Sequence, residues 1–205
     1  MGRVLPCMES GGLWRDTGRA MSRATPVRIP LEPDRSASRR ALDERLFVRF
    51  PAVLRVGVRL MQRLPLQSRL RRTLLARLFR RGFAATSRGD HELALVGYAP
   101  DCEIHVDESA GVAADLVGVH RGHGGWHHVV EGVLEVWEFK WEPEEVLDCG
   151  DRAVVTLRLE TRGKGSSVPL SHRVFEAWTW RDGLVVRQEI FGARQQALEA
   201  VGLRE

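Results

Sequence analysis

A carboxyl group and an imidazole lie on one face of a segment that alternates like a β-strand. In the stretch VPLSHRVFEAWTW, side chains two positions apart share a face, and one face consists of His172, Val174, Glu176, Trp178 and Trp180. Ionisable groups among large aromatic side chains are typical of a ligand cavity. Burial beside tryptophans would disfavour the ionised form of Glu176, and His172 is suited to carry protons near neutral pH. The alternatives are a Glu176 that is exposed or ion-paired and a His172 that makes ordinary hydrogen bonds at the mouth of the cavity.

The neighbouring strands offer further polar candidates. In RAVVTLRLETR, Thr156 and Arg158 share a face, and in LVVRQEIFG, Gln188 and Ile190 do. If these faces turn inward, Arg158 offsets the charge of Glu176, whereas Gln188 adds an amide. An arginine partner lowers the pKa of a carboxyl group. Glu176 therefore cannot be both ion-paired with Arg158 and kept in its neutral, protonated form. The sequence leaves this choice open.

The histidine-rich stretch HRGHGGWHH suggests a metal site at first sight, because His123 and His127 are four residues apart, as on a zinc-binding helix face. The apolar stripe of the predicted helix runs through Trp126 and Val130, however, and leaves His127 and Glu131 facing water. No third ligand is evident near them in the sequence. We therefore predict no metal ion and no other cofactor.

The first long elements that the sequence predicts are helices. Apolar residues recur every three or four positions from residue 41, which predicts an amphipathic helix that restarts at Pro51 and ends at Pro65. A second helix begins after Ser68, a residue type favoured at the N-cap, with its leucines and phenylalanines inward and its arginines outward. The stretch HELALVGY predicts a short third helix. A fourth, with Trp126, Trp137 and other apolar residues in its stripe, follows a glycine-containing loop at 108–122.

Most of the remaining predicted elements are strands. DCEIHV alternates and places Cys102, Ile104 and Val106 on one face. Four further segments, EEVLDCG, RAVVTLRLETR, VPLSHRVFEAWTW and LVVRQEIFG, predict an antiparallel meander, and RQQALEAVGL closes with a helix. Helices followed by a run of strands predict an α+β fold with the helices on one face of a sheet.

This order of elements, with four phrases, resembles the SnoaL-like branch of the nuclear-transport-factor-2-like superfamily. The phrases are AATSRGDHELALVGYAPDCEIH, HRGHGGWHHVV, PEEVLDCGDRAVV and WTWRDGLVVRQEIFGARQQALEAVGL. The resemblance implies a cone-shaped, curved antiparallel sheet wrapped around helices, with a mostly apolar cavity. We divide the chain into a disordered basic tail (1–38), an amphipathic helical extension (39–67) and the cone domain (68–205).

The superfamily contains ketosteroid isomerases, polyketide cyclases, epoxide hydrolases, dehydratases and non-catalytic binding modules. Glu176 falls near the position where isomerase-like members carry a protonated aspartic acid that donates a hydrogen bond to a developing oxyanion. The general-base position falls near Val106, which cannot take a proton. The flanking His105 and Asp107 reach the cavity only if a bulge shifts the alternation, and Tyr98, the single tyrosine, is hard to place as an active-site residue.

The resemblance thus implies a cavity for a small hydrophobic molecule. Acid–base chemistry of the isomerase, cyclase or hydratase type is one hypothesis. The other is a non-catalytic module that binds a ligand or contacts a protein or a membrane through the arginine-rich N-terminal helices. The predicted catalytic residues are Glu176, His172, Asp107 and His105, and the predicted pocket residues are Val106, Trp126, Thr156, Arg158, Trp178, Gln188 and Ile190.

Charge is distributed unevenly. Residues 1–90 contain 20 arginines and seven acidic residues, although the whole chain has a net charge of only +4. Among these arginines are Arg69, Arg71, Arg72, Arg77, Arg80 and Arg81. Such a surface suits weak contact of residues 39–88 with an anionic membrane or a nucleic acid; the alternative is an ordinary solvated helix face.

Composition excludes some classes of protein. Hydrophobic residues make up 43% and charged residues 28% of the chain, as in ordinary globular proteins. The longest apolar runs are interrupted by arginine, which argues against a membrane span. Three scattered cysteines and the absence of a secretory signal lead us to expect a cytoplasmic protein, and we expect it to form a homodimer.

Overall fold

The computed structural model describes residues 25–31, 40–163 and 169–203. Its strands are β1 (Val27–Pro30), β2 (Tyr98–Val106), β3 (Gly118–Arg121), β4 (Trp137–Asp148), β5 (Arg152–Gly163), β6 (Pro169–Arg181) and β7 (Leu184–Phe191). Its α-helices are α1 (Leu42–Arg49), α2 (Pro51–Arg63), α3 (Arg69–Ser87), α4 (His91–Leu95), α5 (Gly122–Val136) and α6 (Arg194–Ala200). None of the helices in this part of the chain is both long and apolar enough to cross a membrane.

The strands form one curved, open sheet in the order β1-β4-β5-β6-β7-β2-β3. All neighbouring strands are antiparallel except β2 and β7, which run parallel. The predicted α+β fold is confirmed, with this one parallel pair in an otherwise antiparallel sheet. Helices α3 and α5 pack on one face of the sheet, and α6 packs on the other, against β6 and β7.

Strand β1 lies inside the segment predicted to be a disordered tail. It pairs antiparallel with the end of β4, and Val27, Ile29 and Leu31 are buried. The prediction is wrong for this short stretch, because every second residue is apolar and can cover the core at the edge of a sheet. The rest of the predicted tail, 1–24 and 32–38, lies outside the described residues.

The helix boundaries follow the predicted signals, with some differences. The chain breaks between α1 and α2 at Pro51, and the side chain of Ser68 caps α3 by accepting a hydrogen bond from the Arg71 backbone N–H. The third helix is shorter than predicted, since Tyr98 already begins β2, and Trp137 begins β4 instead of ending α5.

Two leucines of α3 that were predicted to face inward, Leu70 and Leu74, are exposed. Arg71, predicted to be part of the basic surface, is instead 2% exposed. Its guanidinium donates to both carboxylate oxygens of Asp148 at 2.6 and 2.8 Å. It also donates to the backbone carbonyls of Gln62 and Leu64 at 2.8 and 3.1 Å. Arg71 therefore joins the end of α2 to α3 and to the end of β4.

Candidate ligand cavity

A cavity of about 890 Å³ lies between the sheet and helices α1 to α5, within the size range of small-molecule sites. Its lining is mostly apolar. Helix α5 contributes Trp126 and Val129, strand β6 contributes Val174 and Trp178, and α3 contributes Phe79 and other residues. The predicted pocket residues that do line it are Val106, Trp126, Trp178, Gln188 and Ile190.

Glu176 lies in this apolar lining. It is 4% exposed and sits between Val155 of β5 and Ile190 of β7 in the sheet. Its Oε2 accepts two hydrogen bonds, from Trp178 Nε1 at 2.8 Å and from Gln188 Nε2 at 2.9 Å. No described residue donates a hydrogen bond to the other oxygen, Oε1.

Burial dominates the electrostatics of this carboxyl group. Removal from water raises the pKa of Glu176 from 4.5 to about 7, although the hydrogen bonds from Trp178 and Gln188 act in the opposite direction. Neutral N–H donors stabilise the carboxylate less than an arginine would. Glu176 therefore exchanges its proton near neutral pH, which is the range required of an acid–base group.

A tyrosine that we could not place from the sequence completes the buried network. The hydroxyl of Tyr98 donates to Gln188 Oε1 at 2.7 Å. Because this bond fixes the oxygen of the Gln188 amide towards Tyr98, the amide N–H₂ group faces Glu176. Burial and the nearby carboxyl of Glu176 raise the pKa of Tyr98 well above its usual range, so the tyrosine stays a donor.

His172 also lines the cavity, but its side chain is exposed. It therefore lies where the cavity opens to solvent. It lies four positions before Glu176 on an extended strand, a distance of about 13 Å along β6. The two predicted catalytic groups share a face, as expected, but they are too far apart for a direct hydrogen bond.

Arg158 and Thr156 do not line the cavity, contrary to the prediction. Val155, not Thr156, pairs with Glu176 across β5 and β6. Arg158 therefore points to the opposite face, where its Nε lies 3.0 Å from Glu144 Oε1. The physical reason is that Val155 and its apolar neighbours on β5 take the inner face, so the arginine keeps its charge near water.

Val106 faces the cavity, as its alternation predicts, but neither flanking residue does. His105 turns outward, with Nε2 3.0 Å from a Glu103 carboxylate oxygen. Asp107 accepts a hydrogen bond from the Ser109 backbone N–H at 2.9 Å. Because β2 keeps a regular register with β7 from Glu103 to Val106, no bulge brings His105 or Asp107 inward.

Two more carboxyl groups line the cavity, on α1. Asp43 forms ion pairs with Arg77 and Arg81, which keep the pKa of Asp43 below its usual range. Glu44 pairs with Arg88 at 3.3 Å and caps its own helix. Among the lining residues that the structure describes, Glu176 is therefore the carboxyl group without a basic partner.

Part of the cavity wall comes from the segment predicted to be a separate extension. Leu54, Val58 and Met61 of α2 line the cavity, and Val58 and Met61 are buried. The sequence shows the three- and four-residue spacing of these side chains but not what they pack against. Helix α2 thus forms part of the cavity wall.

Solved structures resemble this chain, whereas no curated protein sequence matches it significantly. The structure of TerC co-crystallised with polyporic acid has 28% sequence identity and a TM-score of 0.50, and the match covers 58% of this chain and 90% of that one. An NTF2-like protein of unknown function from Burkholderia pseudomallei has 19% identity and a TM-score of 0.52, over 62% of this chain and 95% of that one. Bal32a, from a soil-derived mobile gene cassette, has 18% identity and a TM-score of 0.50, over 61% and 93%.

The last two likenesses concern the fold alone. They agree with the curved, open sheet and the helices on its inner face described above. The family model of the SnoaL-like domain matches residues 79–188, which is more than half of the chain. The protein therefore belongs to the SnoaL-like domain family.

Proposed function

We propose that the cavity binds a small hydrophobic molecule that carries a hydrogen-bond acceptor, such as a carbonyl oxygen, and that Glu176 acts on it as an acid–base group. The observation that carries the proposal is the buried Glu176 carboxyl, with a pKa of about 7, in a mostly apolar cavity. An apolar wall favours a hydrophobic ligand through the area it removes from water. The single carboxyl without a basic partner supplies the polar contact that orients it.

The hydrogen bonds of Glu176 indicate which oxygen reacts. Oε2 already accepts from Trp178 and Gln188, so the proton of the neutral acid resides on Oε1. The Oε1–H group then donates to the acceptor on the ligand and stabilises negative charge that develops there. After transfer, the carboxylate is stabilised by the same two N–H donors and can take a proton back. Isomerase, cyclase and hydratase reactions all use such transfers.

His172 has a different role in this proposal. Its exposed imidazole at the opening is suited to pass protons between solvent and a bound ligand. It does not act on Glu176 directly, because about 13 Å of strand separates the two residues. His105 and Asp107, which turn away from the cavity, receive no role.

TerC supports the choice of ligand class. That protein was co-crystallised with polyporic acid, and it shares 28% identity with this chain at a TM-score of 0.50. Polyporic acid is therefore a suitable first probe for this cavity. Glu176→Gln keeps the shape of the side chain but removes its titrating proton, so it should still bind ligand while losing any proton-transfer activity.

Native mass spectrometry of the purified protein tests the proposal. A Val129→Trp variant would fill part of the cavity, because Val129 is a buried lining residue on α5. Val119→Trp is the matched control, since Val119 is half exposed on β3 and is not part of the lining. We expect a small hydrophobic molecule, or added polyporic acid, to bind wild type and Val119→Trp but not Val129→Trp. Equal binding by all three proteins, or none by wild type, would contradict the proposal.

We also propose a second, non-catalytic function, contact of α1 and α2 with an anionic membrane. Large apolar side chains are exposed there, with Leu42 83%, Phe50 52% and Leu60 56% exposed. Exposed arginines, including Arg45 and Arg63, lie on the same helices. Apolar groups that insert beside basic groups favour anionic lipid headgroups.

Vesicle sedimentation would test this second function. Wild type should bind vesicles that contain anionic lipid more strongly than neutral ones, and a Phe50→Ser, Leu60→Ser variant should lose that binding. Val119→Ser, which changes an exposed valine elsewhere, is the control. Binding to DNA but not to vesicles would refute the membrane proposal in favour of nucleic acid.

The expected homodimer and the expected cytoplasmic location stay predictions. Light scattering on the full chain measures the first, with about twice the monomer mass of 23.1 kDa as the expected value. Fractionation of cells that express the chain measures the second.

A further inference from the structure

Outside the cavity, two histidines and a glutamate converge beside α5. His127 and Glu131 are one turn apart on this helix and share a face. His127 Nδ1 is 3.5 Å from Glu131 Oε1, and His91 Nδ1 is 4.0 Å from the same oxygen. One ligand atom from each of the three side chains lies within 4.8 Å of the other two. His91 comes from α4, 36 residues earlier in the chain.

Two imidazole nitrogens in this cluster are unsatisfied. His91 Nε2 and His127 Nδ1 are shielded from solvent, yet neither has a hydrogen-bond partner in the part of the chain that the structure describes. Burial of a polar atom without a hydrogen-bond partner destabilises the fold, because the atom loses its bonds to water. A cation in the cluster would satisfy His127 Nδ1, which lies 3.5 Å from Glu131 Oε1, because the neutral imidazole offers it a nitrogen lone pair.

The chain positions His91 without help from an ion. Asp90 caps α4 by accepting a hydrogen bond from the Leu93 backbone N–H at 3.3 Å. Arg40 holds the Asp90 carboxylate through bonds of 2.6 and 2.5 Å. The ring of His91 packs edge-on against Trp126, with 5.4 Å between the ring centroids. A site with one ligand held in place loses less entropy when an ion binds.

We propose that His91, His127 and Glu131 bind a divalent transition-metal cation, with Zn²⁺ as the best fit. Two imidazole nitrogens and one carboxylate oxygen are a typical zinc ligand set that leaves a fourth position for water, whereas Mg²⁺ and Ca²⁺ prefer oxygen ligands alone. Bonds of about 2.0–2.1 Å place tetrahedral ligands about 3.3 Å apart. The side chains must therefore approach slightly, and that of Glu131, which is 60% exposed, has room to rotate.

The site is separate from the cavity but shares a neighbour with it. Trp126 contacts the His91 ring on one side, and on the other it packs near Tyr98, with 6.2 Å between the ring centroids. An ion that links α4 to α5 would thus stiffen the part of the cavity wall that holds the Tyr98–Gln188–Glu176 network. The inference does not depend on the proposed function, since the ligand atoms lie outside the lining.

Isothermal titration of Zn²⁺ into the full, untagged and chelator-treated chain tests the proposal. We expect saturable binding of one ion, and Co²⁺ should give the absorption of a low-symmetry site. Loss of a single outer-shell partner typically weakens metal binding 10–100-fold, so His91→Ala and His127→Ala should each weaken it at least about tenfold. Glu131→Gln should weaken it as well, and because it alters an exposed side chain with little change of shape, misfolding would not explain the loss.

Two control variants keep the test specific. His123 lies one turn before His127 on α5, and His128 packs near His120, so His123→Ala and His128→Ala probe the other histidine groupings near this helix. Both should bind Zn²⁺ like wild type, with unchanged circular dichroism for every variant. No saturable binding by wild type, or equal binding by His91→Ala and wild type, would overturn the proposal; so would loss only in the His128 variant.

Discussion

Arg71→Met should both destabilise the protein and release α2 from the cavity wall. The guanidinium of Arg71 and the carboxylate of Asp148 are 2% and 1% exposed and are joined by two hydrogen bonds. Removal of one partner leaves the other as an uncompensated buried charge, which costs about 3–5 kcal/mol. Since the same guanidinium donates to the carbonyls of Gln62 and Leu64, the end of α2 also loses its attachment.

Urea denaturation followed by tryptophan fluorescence measures this effect. Against a typical unfolding free energy of about 5–15 kcal/mol, a loss of about 3–5 kcal/mol leaves a folded but clearly weakened protein. The double variant Arg71→Met, Asp148→Leu should lose less than the sum of the two single variants, because it removes both charges. Arg72→Met, next to Arg71 but half-buried and outside this network, is the control and should change stability by less than about 0.5 kcal/mol.

Amide hydrogen exchange shows which segment the Arg71→Met substitution destabilises. Amides of α2 should exchange faster in Arg71→Met than in Arg72→Met, because the end of α2 has lost the hydrogen bonds from Arg71 to the carbonyls of Met61, Gln62 and Leu64. The reasoning would be refuted by an Arg71→Met protein within about 1 kcal/mol of wild type, a value typical of an exposed ion pair. Additive single and double variants would refute it equally.

Two further predictions concern the carboxyl group in the cavity. The pKa of Glu176 is about 7 in the folded protein, against an ordinary value of 4.5. The contribution of its protonated carboxyl group to the free energy of unfolding is therefore fully present below pH 4.5. It is lost as the pH rises to 7, by about 3 kcal/mol in all. In urea denaturation, the free energy of unfolding of Glu176→Gln, relative to that of wild type, should therefore increase by about 2–3 kcal/mol between pH 5 and pH 8. The exposed control Glu135→Gln should show the same pH dependence as wild type. A difference between Glu176→Gln and wild type that does not change with pH would contradict this. Gln188→Leu removes a hydrogen bond that lowers the pKa of Glu176, and Tyr98→Phe removes the hydrogen bond that orients the Gln188 amide. Both variants should therefore raise the titration midpoint of Glu176. An unchanged midpoint would show that these hydrogen bonds do not influence the pKa of Glu176.

Much of the architecture follows from local patterns in the sequence. The cap at Ser68, the break at Pro51 and the alternation of β6 all depend on neighbouring residues, so one segment suffices to predict them. Alternation on β6 places Glu176 and Trp178 on one face, and in the structure this face lines the cavity.

The incorrect predictions concern side-chain orientations and contacts that depend on packing between residues far apart in the sequence. Alternation on β5 defines two faces but not which one is inner, and the more apolar face, with Val155 and Leu157, was the available signal against Arg158. Arg71 stands in a row of arginines, yet it falls on the same helical stripe as the buried Leu75. The pairing of Tyr98 with Gln188 joins residues 90 positions apart, and no local pattern predicts such a contact.

The same limit applies to the proposed metal site. His127 and Glu131 can be recognised from their spacing on a helix, but the sequence does not show that His91 joins them. Only the packing of α4 against α5 brings the third ligand within reach. Placement of the short helix α4 was therefore the missing information.

The central claim is that Glu176 exchanges its proton near neutral pH inside the cavity. A ¹³C NMR titration of the glutamate side-chain carboxyl carbons, with Glu176→Gln to identify the resonance, measures this directly. The structure predicts a midpoint of about 7 for Glu176. A midpoint near the ordinary value of 4.5 would contradict the claim and, with it, the proposed acid–base role.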